Sequence, residues 1–111
     1  MSKAGVKAPI KQVLRLKEMV NYQEDAIVSR LLIDRESGTA TLFAFDKGQS
    51  LSEHVVPFDA LLMVLEGRAR ITIEGESFDV KEGEAIIMPA NKPHAVDAVE
   101  RFKMLLLLFR V

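Results

Sequence analysis

His54 and His94 are the only two histidines in this 111-residue chain, and they are the side chains best equipped for chemistry. A free imidazole titrates near neutral pH, so either ring can act as a general base. Each ring also offers a nitrogen lone pair to a transition metal. There is no cysteine, which excludes thiolate ligands, cysteine nucleophiles and disulfides together. No His-x-x-x-His, Gly-x-x-x-x-Gly-Lys, Gly-x-Gly-x-x-Gly or Gly-x-Ser-x-Gly pattern occurs, so zinc-protease helices, phosphate cradles and nucleophile elbows lack support. The chemistry therefore depends on a fold that brings two distant imidazoles together.

Side chains alternate along an extended strand, so Ser52, His54 and Val56 are expected on one face and Glu53 on the other. Two neutral imidazoles can bind a divalent ion, with water or ligand completing the shell. Catalytic zinc sites ordinarily use three protein ligands and one open position, so a two-histidine site is weaker. Such a site favours Zn²⁺, Ni²⁺ or Cu²⁺ over Mn²⁺ or Fe²⁺. Gln49, Ser52, Asp59, Met63 and Met88 are the candidates for a further donor. The blander reading makes both rings hydrogen-bonded residues of a core. Met63, Met88 and Met104 read as pocket lining or as core, and so do Phe43, Phe45 and Phe58.

The elements that must position these residues are strands. Segments 27–33 (IVSRLLI) and 39–45 (TATLFAF) are rich in β-branched and apolar residues, with turn residues at 34–38 between them. Residues 69–73 (ARITI) alternate strictly, with Ala69, Ile71 and Ile73 on one side. Residues 77–80 return with Phe78 and Val80 inward, which predicts a hairpin. Further strands are expected at 85–89, 94–99 and 102–110. Residues 1–25 read as an N-terminal tail and packing segment, where 12–20 form one short helix or an irregular stretch. Residues 26–111 form one all-β domain. Nine or ten short strands punctuated by turns point to a β-sandwich or barrel, either a jelly roll or an immunoglobulin-like sandwich. The Cys and Trp hallmarks of the latter are missing.

The two histidine segments, GQSLSEHVVPFDALLMVLEG (48–67) and GEAIIMPANKPHA (83–95), resemble the two motifs of the cupin superfamily. Gly48, His54 and Gly67 fall on the first motif, and Gly83, Pro89 and His94 on the second. The resemblance covers residues 26–110 and implies a jelly-roll β-barrel with a three-His, one-Glu metal site inside. The departures are specific: Val56 stands at the second His, Ala60 at the Glu, Asn91 at a Gly and Ala98 at an Asn. His54 and His94 are therefore the only metal ligands that carry over. Asn91 is a mild change, because asparagine tolerates the left-handed conformation. Val56 and Ala60 have no electron pair to give. The pocket expected from the resemblance is lined by Ser52, His54, Val56, Phe58, Ala60, Met63, Met88 and His94, with Phe58 at the barrel mouth.

Three functions follow as expectations. The first is a small-molecule-binding protein with a reduced, weakly metal-binding two-histidine site. The second is a metal-free epimerase or isomerase using a histidine base, which requires a carboxylate such as Asp59 or Asp97 against the ring. The third is a non-catalytic binding or dimerisation module whose interior is filled. Apolar residues make up 49% of the chain and the net charge is −1, which argues against disorder and against nucleic-acid binding by phosphate neutralisation. No uninterrupted apolar run exceeds six residues, far short of the roughly 20 that span a membrane, and a cytoplasmic location is expected. Leu105 to Phe109 is apolar on both faces of its strand. A second subunit covering the outer face would explain this, so a homodimer is expected.

Overall fold

The computed structural model describes residues 5–111. Its strands are β1 (Gly5–Val6), β2 (Ile27–Arg35), β3 (Gly38–Phe45), β4 (Ser50–His54), β5 (Phe58–Glu66), β6 (Arg68–Ile73), β7 (Glu76–Lys81), β8 (Ala85–Met88), β9 (His94–Ala98) and β10 (Phe102–Arg110). All pairings are antiparallel, in a six-stranded sheet ordered β1-β2-β3-β10-β5-β8 and a four-stranded sheet ordered β4-β9-β6-β7. The two sheets face one another as a jelly roll of the cupin type. The β6–β7 hairpin pairs Ala69 with Val80 and Ile71 with Phe78, which is the register its alternation predicts.

The core lies between the sheets. Ala60, Leu62 and Val64 of β5 and Phe102 and Met104 of β10 meet Ala69, Ile71, Val80, Val96 and Ala98 from the smaller sheet. Phe45 stacks on Phe102 with ring centroids 4.6 Å apart, and both rings are fully buried. Phe43 and Phe45 thus resolve as core residues rather than a ligand clamp. Gly67 turns β5 into β6 at φ +78°, and a Cβ there would run into the Arg101 carbonyl, so only glycine serves.

A second cluster sits on the outer face of the larger sheet. Val20, Leu32, Leu42 and Ala44 are buried there under Ala8, Leu16, Met19 and Tyr22. The described part of the N-terminal segment is therefore attached, through β1 pairing of Gly5 with Asp34 and Val6 with Ile33. Residues 1–4 of the expected tail lie outside the described residues. The 12–20 stretch resolves into a 3-10 turn at Leu16–Met19.

Because Phe102 is fully enclosed and stacked, Phe102→Ala is expected to cost about 3–5 kcal/mol. Urea unfolding followed by circular dichroism checks this. A loss below about 1 kcal/mol would mean that the core does not close around this ring.

Candidate functional site

His54 ends β4 and His94 begins β9, and the two residues are direct partners across the strand pair. Residues directly opposite in a sheet project to the same side, so the rings meet. Their centroids lie 4.5 Å apart in an edge-to-face arrangement at 69°. A register shift produces this contact. Ser50 pairs with Asp97 and Leu51 with Val96, and an irregularity between Leu51 and His54 then adds one residue to β4. Unshifted, His54 would face Pro93. The bulge re-aims the imidazole, which is a common use of a bulge at a sheet rim.

The same bulge breaks the strict alternation expected for 52–56. Ser52, Glu53 and His54 are all exposed. Ser52 contributes its backbone: the His54 ring donates from Nδ1 to the Ser52 carbonyl at 2.8 Å. A carbonyl can only accept, so Nδ1 carries the proton and Nε2 keeps its lone pair.

His94 is the buried member, at 5% exposure. Its Nδ1 is enclosed and has no well-aligned hydrogen-bond partner. Burial, and then the neighbouring His54, hold its pKa below the ordinary 6.5, while the Lys92 backbone acts the other way. The ring is therefore neutral at physiological pH and retains a free lone pair.

The remaining expected pocket residues separate into three groups. Val56 and Phe58 are half-buried near the mouth. The Arg110 guanidinium lies 5.5 Å above the Phe58 ring, so Phe58 is pinned under an arginine rather than free as a lid. Ala60 and Met88 are register partners and buried in the core below. Met63 does not belong to the pocket. On β5 the inward positions are Ala60, Leu62 and Val64, so Met63 faces outward and is exposed. Asn91, at the motif glycine, adopts φ 64° as its tolerance of the left-handed region predicts, and its amide donates to the Val56 carbonyl at 2.8 Å.

The donor set does not fit the four-ligand centre that the motif resemblance implies. Val56 and Ala60 present hydrocarbon, and Asp59 Oδ1 already accepts the Ala90 amide at 2.9 Å. Among the described residues, no group of three His, Cys, Asp or Glu side chains is placed to hold one ion. The two imidazoles, in mutual contact, are the donors left. Among the described residues no carboxylate accepts a hydrogen bond from either ring. Asp97 is exposed, at a position that alternates away from the buried His94 and Val96. The interior is packed with apolar side chains, and neither histidine lines the concavities beside Gly38, Phe78 or Leu14.

A polar cluster that sequence reasoning missed sits at the other end of β10. The Tyr22 hydroxyl donates to Glu66 Oε2 at 2.6 Å, and Arg101 Nε donates to Asp46 Oδ1 at 2.7 Å. Arg101 and Lys103 lie 5.1 and 5.0 Å from the centre of the Tyr22 ring. Burial and the Glu66 carboxylate push the Tyr22 hydroxyl well above its ordinary pKa, so it stays a donor. Arg101, with the Asp25 amide, holds the Asp46 carboxyl low. This cluster ties the N-terminal segment to the barrel floor. Positions 22, 46, 66 and 101 form no motif, so no local signal announces it.

The cupin domain family model matches residues 41–109. A conserved protein of unknown function from Streptococcus pyogenes is 40% identical with a TM-score of 0.91, and the match covers 100% of this chain and 96% of that one. A cupin superfamily protein from Desulfitobacterium hafniense is 30% identical with a TM-score of 0.87, covering 93% and 94%. An uncharacterised protein from Methanocaldococcus jannaschii is 32% identical over 63 residues, 46% of this chain; the match spans only 50% of that relative's length.

A depressed histidine pKa has a definite consequence for stability. Above pH 6.5 the ring is neutral in both folded and unfolded chains, and its contribution to stability is fully present. As pH falls from 6.5 through the lower folded-state pKa, the unfolded chain takes up the proton more readily and stability is lost. Thermal midpoints of the wild type should therefore drop between about pH 7 and pH 5, and His94→Gln should drop less. Equal slopes for the two proteins would refute the assignment.

Proposed function

The chain belongs to the cupin domain family, and from that premise we propose that it binds a small molecule at the barrel mouth through the His54–His94 pair. The observation that carries this reading is the edge-to-face contact at 4.5 Å between one exposed and one buried imidazole. Each ring supports it differently. His54 is fixed in one tautomer by the Ser52 carbonyl, which leaves Nε2 available. His94 is kept neutral by burial, with the Lys92 backbone beside its ring. The filled interior limits the ligand to something small that stays at the mouth.

A zinc, nickel or copper ion is the companion this pair would hold, with His54 and His94 as its only protein donors. When bound, such an ion supplies Lewis acidity and open coordination positions. With no carboxylate in the donor set, its full charge is left to the ligand, so a small anion is the favoured class. The epimerase or isomerase reading has weaker support, because the carboxylate it needs against an imidazole is not among the hydrogen bonds of the described residues.

The test is a zinc titration followed through the ring nitrogens of both histidines by NMR, above the imidazole pKa. Saturable perturbation of both rings is expected, lost in His54→Ala and in His94→Ala. The exposed His54 makes the first variant safe for folding. Ring nitrogens that ignore zinc, nickel and copper alike remove the metal. Ring nitrogens that also ignore a panel of small carboxylates and phosphates remove the site.

A further inference from the structure

The barrel mouth has a second wall, on the sheet that faces the imidazoles. Arg110 ends β10 and is the register partner of Phe58, the first residue of β5. It continues the phase of Met104, Leu106 and Leu108, so its side chain leaves the strand on the barrel side. Its guanidinium lies 5.5 Å from the centre of the Phe58 ring, and its Nε donates to the Glu36 carbonyl at 2.8 Å. Its backbone amide donates to the Ser37 carbonyl at 2.9 Å. Strand end and head group are thus both held. Among the described residues, no carboxylate pairs with this guanidinium and no protein group accepts from its two Nη nitrogens.

The chain brings this wall to the histidines. Val56 stands between His54 and Phe58, and its carbonyl is tied to Asn91 in the loop that leads into His94. The Arg110–Phe58 pair and the imidazole pair therefore rim one opening from opposite sheets. The wall below Arg110 is apolar: Leu108 pairs with Ala60, and Ala60 with Met88.

We propose that Arg110 selects the ligand of the imidazole site, and that the ligand class is a short hydroxycarboxylate. The proposal rests on the small-molecule reading above and supplies its chemistry. With Nε occupied, the guanidinium still presents two Nη groups side by side, the arrangement that grips both oxygens of a carboxylate. The far end of the ligand meets a different demand. His54 Nε2 offers a lone pair, so it accepts, and a hydroxyl is the group that donates to it. Facing sheets stand about 10 Å apart, so one molecule that touches both walls has a skeleton of about two or three carbons. The apolar strip from Phe58 to Met88 suits such a skeleton and disfavours polar atoms between its ends.

The test is an NMR titration of the full chain at pH 7.5 with glycolate, 3-hydroxypropionate, acetate and inorganic phosphate, following the ring nitrogens of both histidines and Arg110 Nε. Glycolate or 3-hydroxypropionate is expected to move His54 and Arg110 together and saturably. Acetate, which lacks the hydroxyl, should bind at least about tenfold more weakly. Arg110→Gln should weaken hydroxycarboxylate binding about 30-fold. Arg110→Lys keeps the charge without the fork and should still lose about tenfold. Zinc perturbation of both rings should survive both variants, which shows that the site and the fold are intact. Rings that respond to zinc but to neither hydroxycarboxylate overturn this proposal alone. Hydroxycarboxylate binding that is equal in wild type and Arg110→Gln does the same, and so does phosphate or acetate bound as tightly as the hydroxycarboxylates. Rings that ignore zinc and every anion remove the imidazole site itself, and this proposal with it.

Discussion

The apolar character of β10 on both of its faces is the constraint from which the rest of the structure follows. The strand lies between β3 and β5, and every residue from Phe102 to Phe109 has a partner in β3. Its even positions, Met104, Leu106 and Leu108, pack toward the barrel, and Leu105 packs outward against the N-terminal segment. An antiparallel sheet with one wet face would alternate apolar and polar residues. Here the polar phase is missing over Leu105–Phe109, so both sides of the sheet need cover. The flanking strands take their register from this one, and the rows of residues they share run across the whole sheet.

The imidazole pair depends on the other sheet, and on a single extra residue. The β4–β9 ladder starts in one register and ends in another, and only the second puts His54 opposite His94. A one-residue slip in a strand exchanges its faces. The bulge is thus the difference between a paired site and two unrelated histidines. It also explains why Ser52 acts through its carbonyl rather than its hydroxyl: an irregular strand end turns the backbone toward its own side chains.

Much of this was legible in the residues. The β6–β7 hairpin followed from period-two alternation, and the motif glycines and histidines marked the order of turns and strands. Asn91 took the left-handed conformation its side chain tolerates. Met63 was also legible, since it alternates with the inward Leu62 and Val64, yet proximity in sequence to the motif placed it in the pocket. The bulge was not legible, because Ser-Glu-His carries no glycine or turn signal to mark it. The Tyr22–Glu66 and Arg101–Asp46 contacts were equally silent. They join residues 44 and 55 positions apart, and separations of that order are fixed only by the closed barrel.

The loss of two motif ligands changes the electrostatics of the mouth more than its shape. A carboxylate at position 60 would sit in the buried wall beside Met88, where an unpaired charge is costly and a bound cation would be its natural partner. Alanine there removes that demand. The imidazoles impose no such demand either, because burial already holds His94 neutral. In the reading proposed above, the strength of binding at the two imidazoles would be set by what the ligand brings. On this argument Val56 and Ala60 keep hydrocarbon, and no unpaired buried charge, in the wall below the imidazoles.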